Sequence, residues 1–460
     1  MRAIAYLPTL AYKQAMAKRR PPGPRSGIFG LAPYRQARKD YLAFSRALAA
    51  KYGDVVYYRL GPAPCFQFTH PDQAHEVLVK HWRSFQKTQR MRQVLGKWNG
   101  RGLVLNEGDA WARQRRMVQS AFHPHRVQSY GRLFVDHACH LANRCLGRTV
   151  DLAEEFSRLT FATTAEALFG AEVSSIADTF RAHVERLQVI GMQMFGDPII
   201  WPLWMPTRKN RQLLPSIRFL DELVARFVAE RRESGEDRGD LLSVLLSAID
   251  EEGEGGVMTD RQARDEAVNL LLGGNETTAT ALTWTAHLLA QHPDVQDQVA
   301  QEVRGVLNGG RANAEHAAAL PLTTAVLKEA MRLYPPAYIL TREAIEPTEI
   351  GGYLIPKGAN VILVPAIMHR DGRWFDRPDT FCPERFLTEE SESQRRAYIP
   401  FGAGPRACIG AGFAMLEGVL VLATLLARCR LVPEGIGQVE EEAQISLHPR
   451  GGLPMRLEPR

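Results

Sequence analysis

Phe401-Gly402-Ala403-Gly404-Pro405-Arg406-Ala407-Cys408-Ile409-Gly410 reads as a loop that presents one cysteine thiolate to a metal. The pattern F-x-x-G-x-R-x-C-x-G fixes five positions, a coincidence expected about once in three million random starts. Gly404 and Gly410 permit tight turns and the close approach of a flat ligand. The stretch 411–417 that follows has the character of a helix start. Its N–H groups and positive dipole end favour a charged sulfur. A lone cysteine in a Gly-rich turn is more often a buried, inert thiol; the complete pattern points to a ligand instead.

The stretch resembles the cysteine loop of the cytochrome P450 family, whose haem iron is held by a single thiolate that pushes electron density towards O–O cleavage. The resemblance implies a mainly α fold with small β-sheets, haem b bound through Cys408, and O2 as co-substrate. It also implies that Arg406 pairs with a haem propionate and that Phe401 and Gly410 belong to the cofactor loop.

Other segments match the same family in the order it requires. Gly273-Gly274-Asn275-Glu276-Thr277-Thr278 places an acid and an alcohol just after two glycines. Glycine inside a helix costs ~1 kcal/mol, so the pair needs a reason, and close approach to a haem face supplies one. A Thr277 hydroxyl bonded one turn back would bend the helix and open a groove. By resemblance, Glu276 and Thr277 relay protons to iron-bound oxygen, Thr278 is a second alcohol, and Gly273 adjoins the cofactor. Glu329 and Arg332 form E-x-x-R, which any charged helix can show. Phe381-Cys382-Pro383-Glu384-Arg385-Phe386 downstream gives it weight, and the resemblance makes Glu329, Arg332 and Arg385 a buried structural triad. Trp111 and Arg115 (W-x-x-x-R) and Arg342 stand where the family holds haem propionates. His369 supports either a propionate or the core.

Composition agrees with a globular protein: of 460 residues, 45% are hydrophobic and 23% charged. Length alone suggests about three domains; the resemblance instead implies a lead over 1–25, with the proline-rich 21–24, and one haem domain over 26–460. The six cysteines form no C-x-x-C pair, which argues against zinc or a disulfide framework and for a reducing, cytoplasmic setting. The start of the chain is not a convincing secretory signal, and 268–289 carries Asn275 and Glu276 mid-span, unlike a membrane helix. The net charge of +6 is spread over the chain, with no basic block long enough to argue for nucleic acid. The resemblance implies a monomer fed by a ferredoxin or flavodoxin-like partner with its reductase, so NAD(P)H acts only indirectly. About fifty residues follow Cys408, too few for a fused reductase.

Apolar alternation over Val55–Leu60 and 65–69 predicts a hairpin, and Gly/Pro turns near 350–365 predict a second β region packed with the first. Helical periodicity covers 109–122, 156–169, 217–231 and Pro293–Leu307, and Thr259 with Gln262 makes a capping box. The stretch 250–256 reads as an acidic loop and 312–320 as a weakly specified connection. The resemblance places substrate contacts at Met91, Leu95, Trp98, Leu103, Val104, Met192, Met194, Leu272, Ile339 and Leu340, apolar side chains that suit a hydrophobic small molecule. The Trp- and Pro-rich loop 198–206 borders the access route and is a candidate membrane contact. The expected activity is haem-thiolate monooxygenation of a fatty acid, terpenoid, steroid or polyketide-like compound. The alternatives are a peroxide-driven peroxygenase and a non-catalytic haem sensor or carrier.

Overall fold

A computed structural model describes residues 20–25, 30–171, 173–247, 258–435 and 439–460; the acidic stretch 250–256 and the start of the chain lie outside the described residues. The longer helices and the strands run α1 (Leu31–Lys39), α2 (Tyr41–Tyr52), β1 (Val55–Leu60), β2 (Ala63–Phe68), β3 (Phe85–Gln86), α3 (Gln89–Asn99), α4 (Gly108–Gln119), α5 (Gly131–Cys145), β4 (Thr149–Asp151), α6 (Leu152–Phe169), α7 (Ala177–Phe195), α8 (Arg208–Ser234). They continue α9 (Asp260–Gln291), α10 (Pro293–Leu307), α11 (Pro321–Leu333), β5 (Leu340–Ala344), β6 (Thr348–Ile350), β7 (Tyr353–Ile355), β8 (Asn360–Leu363), α12 (Ala411–Leu426), β9 (Cys429–Pro433), β10 (Glu441–Ala443), β11 (Leu447–Pro449), β12 (Pro454–Pro459). Two compact units result. One comprises Met1–Gln89, Tyr338–Pro378 and Ser391–Ala407, the other Arg90–Ala337, Asp379–Glu390 and Cys408–Arg460.

The first unit holds a five-stranded sheet of order β1-β2-β8-β5-β3. Gly61, at φ 60°, and Pro62 close the expected hairpin, with Leu60 opposite Ala63. The two β regions do more than pack together. β2 and β8 are parallel neighbours, Cys65 opposite Asn360 and Phe68 opposite Leu363, so segments distant in sequence share one sheet. Phe66, Phe68, Val77, Leu78, Val361 and Leu363 bury its apolar face, each contributing about 1.5–3 kcal/mol. The proline-rich 21–24 is no free linker: Tyr57 N–H donates to Pro22 O (2.8 Å), and a β-carbon on Gly23 would collide with Tyr57 O. His369 is fully buried and its Nε2 accepts the Ile399 N–H (2.9 Å), so it takes part in the core. Gly404 of the cysteine loop has φ 69°, and a β-carbon there would lie 2.0 Å from Leu78 O. Only glycine fits.

The second unit is built around α9, whose 32 residues span about 48 Å. Thr259 and Gln262 make the expected capping box at its start. From Gln262 to Ala290 only Gly273 and Thr277 are exposed, so this helix is enclosed on nearly every side. α6 is stitched to its middle: Thr160 Oγ1 donates to Asn275 O (2.9 Å), Asn275 Nδ2 donates to Ser157 O (2.8 Å), and a β-carbon on Gly274 would press on Thr164 at 2.9 Å. α8 starts earlier than the periodicity indicates because Thr207 caps it, and it carries Pro215 inside. The connection 312–320 contains a 3-10 turn over Glu315–Ala319.

α12 packs against α11 so closely that a β-carbon on Gly418 would stand 2.5 Å from Leu327 Cδ2. On α12, Glu417 is fully buried and accepts the Thr163 hydroxyl (2.5 Å); burial pushes its carboxyl up to about 8. On α11, Glu329 and Arg332 are wholly buried, and Arg332 Nε and Nη2 donate to Glu329 Oε2 and Oε1 at 2.7 and 2.8 Å. Arg385 Nε (3.1 Å) and Cys382 N–H (2.9 Å) donate to Oε1 as well. The charged triad therefore exists, and it ties α11 to the turn at Pro383–Phe386. Replacing Glu329 by Ala strands two guanidinium groups, so the variant is expected to lose ~3–5 kcal/mol in urea unfolding; a loss under about 1 kcal/mol would show that the triad carries no structural weight.

Candidate active site

Cys408 stands just before α12, and it alone of the six free cysteines is exposed. Its side chain is open to solvent yet flanked by protein, so burial pushes the thiol up, while the Gly410 N–H and the Arg115 guanidinium pull it back. The last two contributions favour the charged sulfur, the direction a metal ligand needs. At Gly410 a β-carbon would make only ordinary contacts, 3.7 Å from Phe122 and 4.0 Å from the sulfur, so packing within the protein does not by itself demand glycine there.

α4 brings Trp111 and Arg115 to one helix face, four residues apart. Trp111 is buried and Arg115 half-buried; burial pushes the Arg115 pKa down, with Cys408 opposing. In the first unit, Arg342 is buried on β5 and donates to Thr341 O (2.9 Å), while Phe401 and Arg406 are half-buried around a short 3-10 turn.

The middle of α9 divides its polar residues by direction. Gly273 faces open space: a β-carbon there meets nothing within 4 Å. Thr277 lies one turn on and donates its hydroxyl to Gly273 O (2.7 Å), the expected back-bond. Gly274 has the other task, letting α6 approach, so only one of the two glycines leaves room for a ligand. Thr278 is likewise corrected. It is buried, off the face shared by Gly273 and Thr277. Glu276 is half-buried, and its Oε1 accepts from Ser446 Oγ (2.5 Å) and His448 Nε2 (3.0 Å). Sequence reasoning missed Ser446 and His448. Their one local signal is two polar residues flanking a buried Leu447 in a short alternating strand.

The expected substrate residues split in the same way. Leu95, Trp98, Leu103 and Met194 are buried, whereas Met91, Met192 and Leu272 are half-buried and Val104 is exposed. Ile339 and Leu340, in the first unit, are half-buried. Trp98 is packed into protein: a β-carbon on Gly191 would lie 2.9 Å from Trp98 Cη2 and 3.8 Å from Ile445 Cδ1. The loop bearing Leu103 is held by α9, since Leu103 N–H donates to Glu266 Oε2 (3.0 Å) and Arg101 N–H to Asp265 Oδ2 (2.8 Å).

An accessible thiol beside a guanidinium, and a buried helix with one unpacked glycine, fit a flat metal-bearing anion. A family model for Cytochrome P450 matches residues 21–453. The chain belongs to the cytochrome P450 family. It is 36% identical to cyclooctatin synthase of Streptomyces melanosporofaciens over 92% of each chain. It is 34% identical to cyclooctat-9-en-7-ol 5-monooxygenase of the same organism over 91% of each, and 32% identical to pentalenene oxygenase of Streptomyces avermitilis over 92% of this chain and 94% of that one. This P450 is thus a haem-thiolate monooxygenase that uses O2 and externally supplied electrons to oxidise a hydrophobic molecule. Among the described residues no helix is long and apolar enough to cross a membrane.

Glu266 gives this region a pH dependence. It is fully buried, and burial, with a smaller push from Asp265, raises its carboxyl from 4.5 to about 7 against the Leu103 N–H. The folded chain therefore holds a proton that the unfolded chain releases. That contribution is fully present below about pH 4.5 and is lost as pH rises through about 7. Replacing Glu266 by Gln removes the titration. The stability difference between variant and wild type is expected to shift towards the variant by on the order of 2–3 kcal/mol between pH 5 and 8 in denaturant melts; an unchanged difference would place the Glu266 pKa at an ordinary value.

Proposed function

We propose that this P450 oxidises a terpenoid, with Cys408 as the iron ligand and Glu276 and Thr277 as the proton relay. The observation that carries the relay is the pair of exposed positions, Gly273 and Thr277, one turn apart in an otherwise enclosed helix. The terpenoid reading is supported by the names of three relatives and by accessible apolar side chains at Met91, Met192 and Leu272.

When bound, haem supplies the oxygen-activating chemistry. The protein binds, orients and protonates. Cys408 holds the metal; Trp111 and Arg115 are assigned to one propionate, Arg342 and Arg406 to propionates from their own unit, with Phe401 and Gly410 in the cofactor loop. Thr277 spends its hydroxyl hydrogen on Gly273 O, which fixes the rotamer and turns the oxygen lone pairs towards the open face. Glu276 holds the proton to be delivered there. Glu329, Arg332 and Arg385 keep α11 in place and take no part in chemistry. Electrons are proposed to come from a ferredoxin with its NAD(P)H-dependent reductase, in the cytoplasm, to a monomeric enzyme.

Turnover of cyclooctat-9-en-7-ol and pentalenene with a surrogate ferredoxin system tests the reading. Hydroxylated product is expected from wild type and none from Cys408→Ala, which should also lose the red-shifted Soret band of the reduced carbon monoxide complex. A Cys408→Ala protein that retained that band would remove the ligand assignment, and product from neither compound would remove the terpenoid class.

We also propose that the loop 198–206 touches a membrane surface. Its carbonyls are tied down, Trp201 O to Lys97 Nζ (2.7 Å), Pro202 O and Met205 O to Asn210 Nδ2 (2.7 and 2.9 Å), while Trp204 is 78% and Ile199 57% exposed. Tethered backbone with outward tryptophan suits an interface. A Trp201→Ser, Trp204→Ser double variant is expected to bind anionic vesicles at least about threefold more weakly in sedimentation; equal binding would sink the membrane role.

A further inference from the structure

Glu276 is held from outside its helix. Ser446 Oγ–H donates to Oε1 at 2.5 Å, and His448 Nε2–H is shared between Oε1 (3.0 Å) and Ser446 Oγ (2.8 Å). A carboxylate partner requires the His448 tautomer with hydrogen on Nε2, which leaves Nδ1 to accept from Thr280 Oγ1 (3.3 Å), one turn beyond Glu276 on α9. Ser446 sits in the bend before β11 and His448 on the strand itself, both reaching Glu276, while Leu447 between them is fully buried.

The hairpin does not need Glu276 for its own attachment. Leu447 O accepts Trp284 Nε1–H at 2.7 Å, and Leu447 N–H donates to Pro336 O at 3.2 Å. Ser446 and His448 are thus a fixed post on which the acid is hung. Both bonds fall on Oε1. Among the described residues Oε2 makes none, and it is not buried without a partner. An untethered glutamate would spread over several rotamers, and hydrogen bonds to a charged acceptor offset the entropy lost in confining it.

We infer that Ser446 and His448 are positioning residues for proton delivery: they fix Glu276 by one carboxylate oxygen so that the other stays available to the open face carrying Thr277. This rests on the reading of Glu276 and Thr277 as the relay. The chemistry it governs is the fate of reduced O2. Two electrons and two protons convert O2 either to H2O2 or, when one oxygen atom enters the substrate, to hydroxylated product and one water, so the placement of proton delivery decides between coupled turnover and peroxide leak.

The test uses the haem-loaded enzyme with a surrogate ferredoxin, its reductase and NADPH, in the presence of cyclooctat-9-en-7-ol, and measures the fraction of consumed electrons recovered as H2O2. Thr277→Ala reports on the relay itself. The Ser446→Ala, His448→Phe double variant is expected to raise the peroxide fraction roughly threefold or more, while His448→Gln, which keeps an N–H donor at the same reach, stays near wild type. Crystal structures of the double variant should show the Glu276 carboxylate swung away from the hairpin. If Thr277→Ala leaks peroxide but the double variant does not, or if Glu276 keeps its place without the two donors, the inference is overturned. If Thr277→Ala leaks no more than wild type, it is the relay reading that fails.

Discussion

A helix enclosed by protein on nearly every side, yet left unpacked at one turn, is the constraint from which the rest of this structure follows. α9 buries almost its whole length, and the exposed pair Gly273 and Thr277 survives only because neighbouring groups face elsewhere. Asn275 and Gly274 are committed to α6, through the Thr160 and Ser157 bonds and the close approach at Thr164. Thr277 returns its hydroxyl to Gly273 O. The backbone is therefore held from behind while its front stays open, and the cost of glycine in a helix is repaid by space for a ligand.

Buried charge serves two separate purposes. Glu329, Arg332 and Arg385 satisfy one another and two backbone groups, so their interest lies in holding α11, not in titration. Among the described residues Glu266 and Glu417 have no cationic partner, and burial drives them towards the neutral form. Each accepts one hydrogen bond from a segment near the site, Leu103 N–H for Glu266 and Thr163 Oγ1 for Glu417. Glu276 differs from all of these: half-buried, it is gripped on one oxygen by a strand far along the chain. The same residue type is thus ion-paired, driven towards neutrality or tethered at the surface of a helix according to what surrounds it.

Likeness to cyclooctatin synthase and pentalenene oxygenase over more than nine-tenths of the chain places this protein among cytochrome P450 monooxygenases. Which side chains are open, which are packed, and which acid is tethered are properties of this fold alone. Trp98 illustrates the distinction, since its family position suggests a substrate contact while the ring is lodged between Gly191 and its neighbours.

Short-range chemistry was legible in the amino-acid order. The Cys408 loop, the Thr259–Gln262 capping box, the Thr277 back-bond and the Glu329–Arg332 pairing each depend on residues within about a turn or two of one another, where spacing dictates geometry. Direction was not legible. Neighbouring glycines 273 and 274, or threonines 277 and 278, look alike in sequence and were separated only by which helix packs on which side. Nor could spacing show that a hairpin bend 170 residues downstream supplies Ser446 to Glu276, because such a pairing is set by the placement of whole elements, with Leu447 locked to Trp284 and Pro336.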